Sequence, residues 1–379
     1  MPEWFGGCIS LALITVAACG YPPLAATNGN NIDSGAGSDT STASIDAAVC
    51  FGTAPFTICL AAAPTAPLVL STATPFDTDL DACVGTTSGG TGYCVLAATT
   101  ISFEGERAWR ATGSRPVVLI ASDSITVSAG LDVGSHRIVP PATGPDAGAG
   151  ADPVSCPAPL TVPSNGGGGA GGSFTGVGGP GAASARGGSS GGAAGAAAMA
   201  AGLRGGCPGQ DGEGTGTDRG MGGHGGGAVL LIAVNTINIT AAITAGGQGG
   251  RSGAQNTSGG GGGGAGGMIV LDARTVTSTG FLTANGGGGG EGSGENVAGT
   301  AGSDAIGVAA ATGGTSIPNG GDGGNGSAVA AAGAGAPGSV GTTVSNIRGG
   351  GGGGGGGAGL IKAPLGAVLG TQISPVVTP

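Results

Sequence analysis

A short apolar phrase that returns at fixed offsets constrains this chain more than any other feature. Residues 228–250 read AVLLIAVNTINITAAITAGGQGG, and residues 268–290 read MIVLDARTVTSTGFLTANGGGGG. In VVLIASDSITVSAGLDV (117–133), the apolar positions include Leu119, Ile120, Ala121, Ile125, Val127, Leu131 and Val133. Adding 112 lands on Leu231, Ile232, Ala233, Ile237, Ile239, Ile243 and Ala245, with Asn235 in the place of Asp123. A further 39 lands on Val270, Leu271, Asp272, Val276, Ser278, Leu282 and Ala284. An earlier copy (95–113) places Ile101 and Phe103 24 residues before Ile125 and Val127. Residues 67–80 read as a worn first copy and 358–374 as a truncated last one, so the phrase is a structural repeat.

Within each copy the apolar period is two, as in Ile125-Thr126-Val127 and Ile237-Asn238-Ile239. That spacing puts alternate side chains on opposite faces of a strand and excludes a helix. Polar breaks near Asp123 and Asn235, and again near Ala129 and Gly130, divide each copy into three short strands. Where copies abut with no glycine block between them, they lie about 22–24 residues apart, the length of one coil of a solenoid. The expected fold class is therefore all-β, a three-sided parallel β-helix over 49–376. In it Ile125 stacks over Ile237 and Ile237 over Val276.

Glycine supplies 93 of 379 residues, concentrated in blocks at about 140–226, 247–267 and 286–357. Each block follows a third strand, so all three are expected to leave one corner of the solenoid as insertions. Structureless loops of this length are uncommon in compact domains, and ordering glycine is entropically costly. Two states stay open: solvated, floppy loops, or extended polyglycine II-like segments packed side by side, which the missing Cβ permits. Collagen is excluded, because glycine keeps no strict third-position period.

Charge narrows the partners. Eleven basic against 21 acidic residues give a net charge of −10, and the arginines are scattered, so nucleic acid is not an expected partner. The apolar run ISLALITVAAC (9–19) is too short to span a bilayer but suits the core of an export signal. No Lys or Arg precedes it. Residues 1–19 are read as a signal peptide and 20–48, rich in Gly, Ser, Thr, Asn and Asp, as a flexible tether.

Setting aside Cys8 and Cys19 leaves Cys50, Cys59, Cys83, Cys94, Cys156 and Cys207. An even number in an exported chain favours disulfides, and sequential pairing is expected among the 15 possible connectivities. Closing the Cys156–Cys207 loop constrains the unfolded chain by about 4 kcal/mol, and each short loop by about 2.5–3 kcal/mol. Zinc fits poorly, since no pair has close C-x(2–4)-C spacing and the only histidines are His136 and His224.

No cofactor is expected, apart from weak calcium at Asp77, Asp79 and Asp81. On a strand these alternate carboxylates share one face, although Ala82 and Ser88 stand where an EF-hand loop needs Gly and Glu. The segment NGGDGGNG (319–326) lacks the repeated nonapeptide of calcium β-rolls. GGSSG (187–191) formally fits a nucleophile elbow at Ser189, but no strand precedes it. Outward positions of the repeat (Thr126, Ser128, Asn238, Thr240, Thr277 and Thr283) carry hydroxyls and amides, and Asp132 and Asp272 form no evident catalytic pair. Outward threonines are also a feature of ice-binding solenoids, but here they form no regular T-x-T ranks, which weighs against that reading.

Val16-Ala17-Ala18-Cys19 resembles a bacterial lipobox, which implies acylation of Cys19; Gly20 after it resembles the outer-membrane sorting pattern. The repeat and its glycine blocks, over 50–374, resemble the glycine-rich, PGRS-like predicted lipoproteins of high-GC bacteria, without the helical PE domain. The resemblance speaks to architecture and is nearly silent on activity. The expectation is a non-enzymatic structural or adhesive module, in the outer membrane through its lipid or secreted. Its expected partners are surface polysaccharide or a second copy. The alternative is a carbohydrate-binding or carbohydrate-cleaving parallel β-helix.

Overall fold

The computed structural model describes residues 48–71, 75–81, 83, 92–137, 146–198, 201–330 and 332–379. The signal peptide, Cys19 and all but the last residue of the tether lie outside the described residues. The apolar phrases form long parallel strands: Cys94–Glu104, Val117–Val127, Ala228–Ile239 and Met268–Ser278. These four lie side by side in that order, flanked by Leu68–Ser71 at one edge and by Leu360–Lys362 and Val368–Leu369 at the other. A second, six-stranded parallel sheet gathers the short strands: Phe76–Asp77, Trp109–Thr112, Leu131–Asp132, Ile243–Thr244, Leu282–Thr283 and Ile373–Ser374.

This corrects the three-sided all-β β-helix. The arrangement is of mostly parallel strands in multiple sheets, as α/β proteins build, with no helix among the described residues. The reason lies at the polar breaks. Near Asp123 and Asn235 the chain does not end one strand and begin another; it continues as a single strand of 11 or 12 residues. The irregularity is a bulge: Ala98 pairs with Ala121 but Thr100 with Ser124, and Ala233 pairs with Ala273 but Thr236 with Thr275. A bulge adds a residue and bends the strand without breaking it. The register across copies is tight, with Ile125 paired to Ile237 and Ile237 to Val276.

The two halves of each long strand have different surroundings. In the first half, both faces are covered. Leu119, Leu231 and Leu271 face the core between the sheets, while Val118, Ile120, Leu230, Ile232 and Val270 pack under Phe51, Ile58, Leu60, Phe174 and Leu203. Burial on both faces is why the sequence there reads as an uninterrupted apolar run. In the second half the pattern alternates: Ile101, Ile125, Ile237 and Val276 are buried, and their neighbours point outward. Thr283, read as an outward position, is fully buried instead.

The lid over the first half is fixed covalently and by polar contacts. Cys50–Cys59 joins the antiparallel pair Val49–Phe51 and Ile58–Leu60. Thr53 then donates from its N–H and its hydroxyl to the Asp272 carboxylate at 2.6 and 2.9 Å. Cys83–Cys94 and Cys156–Cys207 complete the sequential set of disulfides.

The glycine blocks are ordered. Along 259–267 the N–H donors rotate through three neighbours with a period of three residues. Gly259, Gly262 and Ala265 donate to Glu213, Gln210 and Cys207; Gly260, Gly263 and Gly266 to Gly351, Gly354 and Gly357; Gly261, Gly264 and Gly267 to Arg251, Gln248 and Ala245. Carbonyls of the same run accept from Gly220, Gly223 and Gly226, from Gly169 and Gly172, and from Gly287 and Gly290. One segment thus has six hydrogen-bonded neighbours, parallel and antiparallel. Three residues per turn with no internal hydrogen bond is polyproline II geometry, here built of glycine. Only glycine fits at the centre: a Cβ on Gly262 would lie 1.9 Å from the Ala170 carbonyl oxygen.

Candidate functional site

The outward face of the second strand halves is exposed or half-exposed across four neighbouring strands. Two ranks of side chains cross it. The first is Thr100, Ser124, Thr236 and Thr275, and the second is Ser102, Thr126, Asn238 and Thr277, each in register with the next. All eight are partly or fully exposed. Seven carry a hydroxyl and the eighth an amide, and none titrates. Strand spacing fixes the rank repeat at about 4.8 Å, and two residues along a strand give about 6.6 Å. The result is a rectangular array of small hydrogen-bonding groups.

Its borders are distinct from its interior. Ser128, Thr240 and Thr279 follow the strands and extend the array, with the Ser128 hydroxyl donating to the Phe103 carbonyl at 2.6 Å. Asp123, Asn235 and Arg274 sit at the bend, where Asn235 donates to Asp123 at 2.7 Å. Val69 (53% exposed) and Val368 (69%) flank the second rank at its two ends. Underneath, Ile101, Ile125, Ile237 and Val276 are at most 1% exposed, so the array stands on a packed column.

The signal for these ranks was in the sequence. The offsets of 24, 112 and 39 that align the apolar positions also carry Thr100 to Ser124, Thr236 and Thr275. Demanding threonine at every position hides this, because Ser and Asn interrupt a strict T-x-T rank. Thr100, Ser102, Ser124, Thr236 and Thr275 were therefore missed by sequence reasoning.

The other candidates are placed elsewhere. Asp77 ends a two-residue strand and Asp79 and Asp81 lie in the turn after it, so the three carboxylates do not line one strand face. Their oxygens are engaged: Asp77 accepts from the N–H of Asp79, Asp81 from that of Asp77, and Asp79 from the N–H and hydroxyl of Ser114. Among the described residues no group of three or more His, Cys, Asp or Glu is arranged to hold a metal. The Ser189 hydroxyl donates to the Ser184 carbonyl at 2.8 Å. His136 and His224 instead meet Asp132 and Asp152. Asp132 and Asp272 sit on different sheets.

Buried contacts shift the acidity of Glu291, Asp132 and His224 among other groups. Glu291 is buried, which by itself raises its carboxyl; the backbone N–H groups of Ile317, Thr300 and Ser316 outweigh this and hold it below the usual range. Burial likewise works to raise Asp132, but His136, Thr244 and Arg110 bring it below normal. The hydrogen bond that His224 donates to Asp152 lifts it above the usual histidine value against the opposing effect of burial. A cleft of about 600 Å3 is lined by Arg137, Arg219 and Arg251. Its cations are already engaged: Arg219 with Asp211, Arg251 with Asp146, and Arg137 with the carbonyls of Gly249 and Gly302.

Comparison with known protein families, with curated proteins and with solved structures gives no match.

Proposed function

We propose that the chain is a non-enzymatic adhesive module displayed outside the cell, with the hydroxyl-bearing sheet face as its contact surface. The observation that carries this reading is the pair of in-register ranks on an outward face. A catalytic site needs acids, bases or nucleophiles converging on one point. The array offers repetition instead, many equivalent weak donors and acceptors over an area. Each hydrogen bond contributes only about 0.5–1.5 kcal/mol net, so strength comes from making many at once.

Display rests on the lipobox-like Val16-Ala17-Ala18-Cys19, which supports acylation at Cys19 and an outer-membrane location. Mass spectrometry of the mature N-terminus tests the anchor; the expected species begins at a diacyl- or triacyl-modified Cys19, and an unmodified peptide starting elsewhere removes it. For the contact surface, the test is adhesion of cells displaying the chain, before and after Thr126→Tyr combined with Asn238→Tyr. Adhesion is expected to fall in the variant, and unchanged adhesion at equal display overturns the reading.

The second reading, carbohydrate binding or cleavage, is favoured by the same hydroxyls and by Asn238, which suit sugar hydroxyls. Turnover on a polysaccharide panel would select the enzyme and displace the adhesive module.

A further inference from the structure

We propose that the hydroxyl array binds ice; this rests on the adhesive reading above and names its ligand. The argument begins from which partners could collect the contacts. Eight small neutral side chains offer no arginine and no aromatic ring, the residues that anchor protein interfaces. They offer no cation for a phosphate or an anionic membrane. A flexible ligand would have to be ordered at each contact, and that entropy would consume most of the gain from weak hydrogen bonds. A partner that is itself rigid, uncharged and periodic incurs no such loss and meets every position at once.

The intervals of the array select among such partners. Adjacent ranks repeat at about 4.8 Å across the strands and about 6.6 Å along them. The shorter interval is close to one oxygen repeat on the prism face of hexagonal ice; the longer falls short of the other, a mismatch that two ranks have to span only once. Five of the eight positions are threonine (Thr100, Thr126, Thr236, Thr275 and Thr277), where a hydroxyl bonds water while the β-branched methyl confines it to the groove between ranks. β-Branching also limits χ1, so the hydroxyls are held in place before contact. The column of Ile101, Ile125, Ile237 and Val276 below prevents the strands from shifting. Waters held between the two ranks would take up the spacing of the array and join the surface of a crystal.

A single glycan chain fits less well, because it runs along one row and leaves the other unused. A crystalline polysaccharide is the competitor that shares rigidity and periodicity, and the experiment separates the two. The full chain is tested for partition into a slowly growing ice front and for inhibition of ice recrystallisation. It is compared with Thr126→Tyr combined with Asn238→Tyr, both on the outward face at the centre of the array. The wild type is expected to enter the ice and keep crystals small, and the double variant to lose roughly tenfold in both, with an unchanged melting temperature. If that variant fails to fold, Thr277→Lys, at the half-exposed last position of the same rank, replaces it. Exclusion of the wild type from ice overturns the proposal, as does full ice partition by a folded variant. Binding of the wild type to crystalline cellulose or chitin without ice binding, lost in the variant, overturns ice but leaves the adhesive reading standing. If the wild type binds no surface tested, both fall.

Discussion

Single side chains carry unequal weight here, and the inequality follows from what surrounds each. Ile237 is fully buried between Ile125 and Val276, so truncation leaves a void in a stack that cannot close on one side. Ile237→Ala is expected to cost about 3–4 kcal/mol in urea unfolding. Gly262→Ala adds a Cβ 1.9 Å from a backbone oxygen, and backbone cannot swing aside. A loss of about 1–3 kcal/mol or more is expected, against about 1 kcal/mol for Ala265→Gly three residues later, which removes one buried methyl. Glu291 accepts five hydrogen bonds from Thr300, Ser316 and Ile317. Glu291→Gln turns acceptors into donors facing donors, at about 2 kcal/mol, measured the same way. For His224 the sign is set by its raised value. Its pairing with Asp152 stabilises fully below the unfolded histidine value of about 6.5 and is lost as pH rises through the higher folded value. Asp132 is opposite: its contribution is present above the ordinary aspartate range and is lost as pH falls through its lowered folded value. Melting temperature against pH should therefore decline on the alkaline side, and His224→Asn should flatten that limb alone.

At the scale of elements, the bulge decides the architecture. A polar residue between two apolar runs, Asp123 or Asn235, reads the same in sequence whether the strand stops or merely bends. The register was legible only beyond the bulge, where equal offsets align Ile125, Ile237 and Val276; before it Leu231 pairs with Leu271 and not with Val270, the residue that the offset of 39 reaches. The number of sheets was not, because hydrogen-bond continuity across a bulge leaves no mark in hydrophobic period. The Asp77–Asp81 segment failed for a related reason, since a two-residue alternation is also what a turn of aspartates produces when each caps a neighbour's N–H. The Cys156–Cys207 link closes the neck of an excursion of 51 residues. Replacing both cysteines with serine should lower stability by about 4 kcal/mol on chain-entropy grounds, read as a shift in the urea midpoint.

Over the whole molecule, two kinds of order meet along one boundary. Glycine segments leave from Ala245 and Ala284, at the ends of short strands, and return at Met268 and Leu360, at the starts of long ones. The parallel sheet that α/β proteins shield with helices is extended here by a bundle of bare backbone. Sequence alone could not assign partners within that bundle. Glycine carries no side chain to mark a face, and a threefold conformer presents the same donors in every direction.

The period-three bonding has a practical corollary for anyone characterising this protein in solution. Because the segment 259–267 is neither helix nor sheet, circular dichroism would report it much as it reports an unfolded chain. Its amides, shared among six neighbours and shut away from solvent, should nonetheless exchange with deuterium as slowly as those of Ala228–Ile239. Fast exchange there would mean that the bundle is loose, whereas slow exchange would show that a spectrum lacking regular structure can belong to one of the most rigid parts of a protein.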